Sequence, residues 1–278
     1  MKSIDENVLA GYNNGIERGR LRTDLGLIEF ERTKELLLQN LPKPPAVIFD
    51  IGGGYGEYSW WLASLGYEVH LFDISETNIR MALELGTEYP GITLATAEIC
   101  DARKVERPDQ SADAVLLMGP LYHIVEREER LLALRESRRL LKERGILFSA
   151  AITPYATLLW AISVFGVKNR LLEEESFLKM VERELLDGEH IRPETGSYRG
   201  IGRSHFHSAS ELRLELELGG FRENRVHGVV GGAWLAPNID ILWKSPDAKE
   251  ALMKTVRMLD LREDISGLST HLLAVSRK

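Results

Sequence analysis

The stretch KPPAVIFDIGGGYGEYSWWLASLGYEVHLFDIS spans residues 43–75 and decides the fold. Its first apolar run, residues 46–51, lacks polar alternation, which is typical of a parallel strand covered on both faces. Glycines follow, and residues 55–65 then place apolar side chains three or four positions apart, which predicts a helix. A second apolar run covers residues 69–72 and ends at Asp73. The stretch therefore predicts one strand–helix–strand unit.

The same alternation continues along the chain. Further strands are predicted over residues 92–97, 112–118, 146–152, 225–230 and 272–275, with helices over residues 75–85, 126–143, 208–218 and 247–262. Alternating β and α units of this kind predict an α/β fold, in which a mainly parallel sheet carries helices on both faces.

Two segments lie outside this alternation. Residues 1–41 have a helical pattern and precede the first strand. Residues 155–205 contain helical patterns over 156–167 and 173–186 but no clear strand. An insertion of this length at the carboxyl end of a strand is typical of a cap or lid. We expect residues 1–278 to form a single domain that includes both segments.

Composition restricts the class of protein. The 278 residues carry 35 Lys and Arg against 42 Asp and Glu, for a net charge of −7. A nucleic-acid partner is disfavoured, because neutralising phosphates normally needs a basic face. Cys100 is the only cysteine, so an intramolecular disulfide is excluded and a cysteine-based zinc site is disfavoured. The acidic start and the absence of a long apolar run predict a cytoplasmic protein that does not contact a membrane.

The glycine-rich turn after the first strand carries the chemistry. It reads Asp50-Ile51-Gly52-Gly53-Gly54-Tyr55-Gly56, a D-x-G-x-G-x-G pattern rather than the G-x-G-x-x-G of dinucleotide-binding turns. Glycines let the backbone approach a ligand closely, and a helix N-terminus offers free N–H groups. A carboxylate two residues before the first glycine disfavours a pyrophosphate and suits a cationic group. The turn therefore predicts a ligand that carries a positive charge and no phosphates.

Five motifs, in order, resemble those of class I S-adenosylmethionine-dependent methyltransferases, in particular the small-molecule and ubiquinone/menaquinone types. The glycine turn resembles their motif I, and Asp73 matches the acid that binds both ribose hydroxyls. Asp101 matches the acid that contacts the adenine amine, and Ala102 matches the neighbour that packs on the ring. The remaining two motifs are residues 111–123, similar to an SFDxV…LxH run, and residues 131–145, similar to an L…E..R.LK.GG helix and turn.

The resemblance implies a Rossmann-like, doubly wound, seven-stranded, mainly parallel sheet with an antiparallel last strand, N-terminal helices and a helical cap. It also implies S-adenosyl-L-methionine as cofactor and S-adenosyl-L-homocysteine as product. The sequence departs from the family pattern at Gly53, where alanine or cysteine is more usual, and at Gly145, where two glycines are usual. Neither departure touches the cofactor chemistry.

The resemblance also implies a set of cofactor-binding residues. Residues 12–21 are similar to a motif that precedes the core in some bacterial methyltransferases, and either Arg20 or Tyr12 is expected to reach the methionine carboxylate of the cofactor. A guanidinium suits a bidentate carboxylate contact, although Arg20 is also interpretable as a surface charge on a solvated helix. The complete set is Asp50, Gly52, Gly53, Gly54, Asp73, Ile74, Asp101, Ala102, Met118, Gly119, Arg20 and Tyr12.

Candidate catalytic residues follow the fourth strand. His123 is the best candidate for contact with the acceptor or for a general base, because imidazole titrates near neutrality. Its alternative role is to anchor the loop by hydrogen bonding, and Tyr122 is either a pocket wall or a proton shuttle. His205 and His207 lie two residues apart, but we expect no metal there, because the segment is better explained as a loop entering a helix capped by Ser208 or Ser210.

Three function classes remain after these arguments. The favoured class is a methyltransferase acting on a nitrogen or oxygen atom, or on sulfur or carbon, of a small molecule, as a monomer or homodimer. A methyltransferase acting on RNA or protein is the second, disfavoured by the net charge and by the absence of an N/D-PP-F/Y tetrapeptide. An NAD(P)-binding oxidoreductase is the third, disfavoured by the glycine spacing and the absence of a Tyr-x-x-x-Lys pair.

Overall fold

A seven-stranded sheet lies at the centre of the computed structural model, which describes residues 19–278. The strands of the described chain are β1 (Val47–Ile51), β2 (Glu68–Asp73), β3 (Thr96–Ile99), β4 (Ala112–Leu117), β5 (Leu141–Ile152), β6 (Glu189–Ile191), β7 (Arg203–His205), β8 (Arg222–Gly228) and β9 (His271–Arg277). The sheet has the order β3-β2-β1-β4-β5-β9-β8, and β6 pairs with β7 alone. Strands β1 to β5 pair in parallel, whereas β9 is antiparallel to both β5 and β8. The α/β fold class and the antiparallel last strand are confirmed.

Helices cover both faces of the sheet. They are α1 (Asp24–Asn40), α2 (Glu57–Ser64), α3 (Glu76–Leu85), α4 (Pro120–His123), α5 (Arg127–Leu140), α6 (Ala156–Ser163), α7 (Glu175–Asp187), α8 (Ala209–Leu218), α9 (Ile239–Leu242) and α10 (Pro246–Leu259). Successive residues of β1 enter opposite cores: Phe49 and Ile51 pack in one apolar cluster and Ile48 in the other. This two-sided burial explains why the first strand shows no polar alternation. Helix α1 joins the second cluster through Ile28, Leu36 and Leu37.

Two predicted boundaries are wrong. Strand β3 begins at Thr96 rather than at Ile92, because the side chains of Ile92 and Leu94 pack under α2 and α3 before the chain pairs with β2. The helix predicted over residues 126–143 ends at Leu140, and β5 begins at once at Leu141. The pairing register between β4 and β5 shifts between Ala112 and Ala114, so β5 has an irregularity between Leu141 and Ile146.

The insertion over residues 155–205 contains more regular structure than the sequence predicts. Helix α7 confirms the second helical pattern, and α6 confirms the first as far as Ser163, four residues short of its predicted end. The strands β6 and β7 form a hairpin where no clear strand was expected. Each of these strands has three residues, too few for a period of two to be recognised. Buried His190 holds the hairpin in place, since its Nδ1 lies 2.6 Å from Glu184 Oε1 and its Nε2 lies 2.9 Å from the carbonyl oxygen of Ile201.

No helix within residues 19–278 combines the length and the apolar character that crossing a bilayer would require.

Buried ionic contacts join α5 to α8. Arg130 Nε donates to Glu215 Oε2 at 2.9 Å, and Arg130 Nη2 donates to Glu215 Oε1 at 2.7 Å. Both side chains are almost completely inaccessible to solvent, at 2% and 0% exposure. Truncation of either partner leaves the other charge buried without its counter-ion, which is far more costly than loss of an exposed ion pair.

The Arg130→Ala variant is therefore expected to lose about 3–5 kcal/mol of unfolding free energy. Urea unfolding followed by circular dichroism measures the loss. The Arg170→Ala variant is the control, because it removes an arginine whose ion pair with Glu173 is exposed. A midpoint for Arg130→Ala equal to that of the control would contradict the prediction.

Candidate functional site

One large cavity opens at the carboxyl ends of the parallel strands. Its volume is about 530 Å³, within the range of about 300–1,000 Å³ that is typical of small-molecule sites. The turns after β1, β2, β3 and β4 supply most of its lining, and α1, β9 and Arg203 of β7 complete it. Open α/β sheets generally bind ligands at this edge, where neighbouring crossovers leave in opposite directions.

The glycine turn after β1 has a backbone that other residues would distort. Gly52 and Gly54 have φ values of 72° and 59°, in the left-handed region that favours glycine. A Cβ on Gly53 would lie 2.5 Å from Asp50 Oδ2 and 2.5 Å from Leu71 Cδ1, so a larger residue there would need these two side-chain ends to shift. The turn also touches the loop after β4, because a Cβ on Gly119 would lie 2.9 Å from the carbonyl oxygen of Gly52. The glycines therefore let two ligand-facing loops approach each other.

Asp50 lines the cavity from beneath this turn. The residue is 1% exposed, and its Oδ2 accepts a hydrogen bond from Ser59 Oγ at 2.6 Å. Burial raises the pKa of Asp50 to about 7, the hydrogen bond from Ser59 opposes the rise in part, and the negative charge of Asp73 adds to it. A nearby cation would favour the ionised form. The expectation that this carboxylate suits a positively charged ligand remains a prediction.

Asp73 is fixed at the end of β2 by three hydrogen bonds. Its Oδ2 accepts from the backbone N–H of Gly54 at 2.8 Å, and its Oδ1 accepts from Ser75 N at 2.9 Å and from Asn78 Nδ2 at 3.0 Å. These donors hold the carboxylate in one orientation at the cavity wall, next to Ile74. A fixed acceptor is well suited to a ligand with two neighbouring hydroxyls.

Asp101 forms part of an ionic group that the sequence did not predict. Arg103 donates through Nη2 to Asp101 Oδ2 at 2.6 Å and through Nη1 to Glu129 Oε2 at 2.5 Å. Burial alone would raise the pKa of Asp101, but its hydrogen bonds with Arg103 lower it below the usual range. Arg103 and Glu129 line the cavity together with Asp101 and Ala102. Arg103 and Glu129 are 26 residues apart in the chain, so no local sequence pattern predicts their contact.

The N-terminal part of the described chain closes one side of the cavity. Arg20 lines it, but the guanidinium forms a bidentate ion pair with Glu29 of α1, at 2.6 Å and 3.0 Å. The expected contact of Arg20 with a ligand carboxylate stays a prediction. The Arg20 side chain is 35% exposed, and its alternative interpretation as a surface charge also stays a prediction. Tyr12 lies outside the described residues.

His123 and Tyr122 lie on α4 at the cavity wall, with ring centroids 4.5 Å apart. Burial lowers the pKa of His123 to about 3, and the nearby His190 of the cap contributes in the same direction. The imidazole is therefore neutral at physiological pH and only a weak base. This environment suits a hydrogen-bonding or wall contact better than a general base.

The structure brings together nearly all of the predicted site residues. The members that line the cavity are Arg20, Asp50, Gly52, Gly53, Gly54, Asp73, Ile74, Asp101, Ala102, Met118, Gly119, Tyr122 and His123. Sequence reasoning missed Glu29, Arg103, Glu129, Arg203 and His271, which reach the same cavity from α1, the loop after β3, α5, β7 and β9.

His205 and His207 do not line the cavity. The predicted cap is confirmed, because Ser208 Oγ accepts a hydrogen bond from the N–H of Glu211 at the start of α8.

Parts of this chain are similar to known methyltransferases. Residues 48–145 match the family model described as a methyltransferase domain. A probable tRNA methyltransferase 9B from Mus musculus is 27% identical over 165 residues, which cover 59% of this chain and 31% of that protein. The chain thus aligns with about a third of the length of this curated relative.

Two solved structures show the same fold. A S-adenosylmethionine-dependent methyltransferase from Methanosarcina mazei is 20% identical, with a TM-score of 0.55 over 87% of this chain and 96% of its own. A chain from the complex between the Haloferax volcanii Trm112 methyltransferase activator and a methyltransferase is 16% identical, with a TM-score of 0.55 over 99% of both chains.

The Asp73→Ala variant is expected to weaken binding of S-adenosylhomocysteine by about 1–3 kcal/mol, because a fixed acceptor for a ligand hydroxyl pair is lost. Isothermal titration calorimetry measures the affinity. The Asp113→Ala variant is the control, since Asp113 pairs with Lys142 near the amino end of β4, away from the cavity. Equal affinities for Asp73→Ala and the parent chain would show that Asp73 does not contact the ligand.

Proposed function

We propose that this chain is a class I S-adenosylmethionine-dependent methyltransferase and that it methylates a nitrogen or oxygen atom of a small molecule. The charge and the size of the cavity are the main support for this proposal. Seven carboxylate side chains but only three arginines are among its described lining residues, in a volume of about 530 Å³. Such a cavity favours a cationic cofactor and an uncharged or cationic acceptor over a polyanion.

The family cofactor supplies a methyl group on a sulfonium, which is transferred in line to a nucleophilic lone pair as the carbon–sulfur bond breaks and leaves a neutral thioether. We propose that the chain contributes orientation and exclusion of water. Asp73 would hold the ribose hydroxyls, and the glycine turn would let the backbone approach the ligand. Asp101 and Ala102 would flank the base, with Arg103 fixing the Asp101 carboxylate from the side. Met118 and Gly119 would form the floor between cofactor and acceptor.

The acceptor is proposed to enter next to α4, beneath the cap. Tyr122 and His123 lie on this wall, and Arg203 reaches the cavity from the cap hairpin. A neutral His123 would act as a hydrogen-bond partner for the acceptor rather than as its base. A nucleophilic amine that is already unprotonated needs no general base before attack, and it loses a proton to solvent after the transfer.

RNA methylation is the second candidate. It is favoured by one observation, the 165-residue match to a probable tRNA methyltransferase. The acidic cavity and the net charge of −7 oppose it, because RNA binding depends on neutralising phosphates.

Release of S-adenosylhomocysteine in the presence of different acceptors distinguishes the two candidates. A panel of small primary and secondary amines and phenols is expected to support turnover, whereas total tRNA is not. A thermal-shift measurement run beforehand should show stabilisation by S-adenosylmethionine and S-adenosylhomocysteine but not by NAD, because a ligand stabilises only the fold that binds it. Methylation of tRNA without turnover of small acceptors would contradict the proposal and identify RNA as the acceptor.

The pH dependence of turnover tests the proposed role of His123. Since the pKa of His123 lies at about 3, its imidazole stays neutral above about pH 4. Replacement by Asn should slow methyl transfer without changing the shape of the pH–rate profile. Loss of an ionisation near neutrality in His123→Asn, compared with the parent chain, would instead identify His123 as a general base.

A further inference from the structure

Two histidines and a glutamate meet where the cap hairpin joins the core. His205 ends β7, His207 lies in the short connection that follows, and Glu211 lies in the first turn of α8. One ligand atom from each side chain lies within 4.8 Å of the others. We refer to these three residues as the His–Glu cluster. It is separate from the cavity, whose described lining residues do not include its members.

The sequence led us to expect no metal at His205 and His207, but the approach of Glu211 changes this expectation. We propose that the His–Glu cluster binds a divalent transition-metal ion such as Zn²⁺ and thereby fastens the cap hairpin to helix α8. Imidazole and carboxylate ligands together suit zinc, which accepts three protein ligands and a water molecule. The proposal does not depend on methyl transfer and can fail or succeed independently of it.

The surroundings of His207 provide an independent indication. The side chain is fully buried, and its Nδ1 has no hydrogen-bond partner. The other ring nitrogen, Nε2, lies 3.3 Å from Glu215 Oε2. Histidines that ligate metals characteristically donate their second ring N–H to a carboxylate, which leaves the first nitrogen free to coordinate. A buried ring nitrogen without a partner is otherwise costly, and a metal ion would compensate that cost.

Glu215 is itself held in place. Arg130 contacts both of its carboxylate oxygens, at 2.9 Å and 2.7 Å. The chain of contacts from Arg130 through Glu215 to His207 therefore fixes the orientation of the imidazole before any ion arrives. Outer contacts of this kind commonly contribute a factor of about 10–100 to metal affinity.

The other two residues of the cluster already lie in contact. His205 Nε2 is 2.8 Å from Glu211 Oε1, and the rings of His205 and His207 have centroids 4.6 Å apart. Tetrahedral zinc with bonds of about 2.0–2.1 Å would space its ligand atoms about 3.3 Å apart. The ligand atoms lie within 4.8 Å of one another, so the side chains would have to move by about an ångström or two to bind the ion.

An ion in the His–Glu cluster would affect the position of the cap hairpin. Strand β7 carries Arg203, which lines the cavity, and packs against α4, which carries Tyr122 and His123. An ion bridging His205 to Glu211 would restrain β7 against α8. Metal occupancy would therefore limit how far the cap hairpin can move over the cavity.

Metal binding is tested with the 278-residue chain, free of tags, treated with a chelator and then titrated with ZnCl₂ by calorimetry, and with CoCl₂ by visible absorption. We expect one ion per chain and the intense absorption of four-coordinate cobalt. The Glu211→Gln variant should lower the zinc affinity at least tenfold. Glutamine retains the capping geometry after Ser208 and a hydrogen bond to His205, so the variant is expected to fold.

The His205→Gln variant should lower zinc affinity in the same way. The matched control is His70→Gln, which removes a histidine whose Nε2 lies 3.2 Å from a single carboxylate, Glu68, without a second histidine in contact. This control should bind zinc like the parent chain. Absence of saturable micromolar binding by the parent chain, or unchanged affinity in both Glu211→Gln and His205→Gln, would overturn the proposal.

Hydrogen exchange distinguishes an ion in the His–Glu cluster from an ion bound elsewhere on the surface, because only the former should slow amide exchange in the cap hairpin. Zinc should slow amide exchange of residues 189–205 in the parent chain and leave it unchanged in Glu211→Gln. Zinc binding with no protection of this hairpin would overturn the proposed role as a cap fastener.

Discussion

The carboxylate of Asp73 is the interaction on which the site depends. It accepts hydrogen bonds from the N–H of Gly54 in the turn after β1 and from Ser75 and Asn78 at the start of α3. One side chain therefore ties two neighbouring strand-to-helix turns together at the same edge of the sheet. Because the turns belong to parallel strands that pair directly, a shift of either one would misplace the carboxylate and the glycine backbone together.

Ion pairs fix the orientation of other charged side chains around the cavity. Arg20 holds Glu29, and Arg103 holds both Asp101 and Glu129, so five of the charged side chains that line the cavity are oriented by ion pairs with each other. The carboxylates nevertheless outnumber the arginines, so the lining of the cavity has a net negative charge. An excess of negative charge on side chains that are already oriented favours a cationic ligand, because binding then needs little reorientation of those side chains.

Histidines order the cap and the segment that joins it to the core. His190 fastens the β6–β7 hairpin to α7 through Glu184, and the electrostatic influence of His190 reaches His123 at the cavity wall. On the other side of the hairpin, His207 contacts Glu215, which Arg130 joins to α5. Buried polar networks specify one arrangement because each unsatisfied partner is costly. The position of the cap relative to the cavity is thus set by hydrogen bonds as well as by apolar packing.

The sequence by itself determined the α/β class, the glycine turn and the carboxylates at the ends of β1, β2 and β3, because these depend on local periodicity and on residues adjacent in the chain. It did not determine the start of β3, the β6–β7 hairpin, or the partners Glu29 and Arg103, because these depend on packing and on charges that meet only after folding. Burial likewise decided that His123 is neutral. Desolvation is a property of the surrounding atoms, and the tertiary structure alone supplies them.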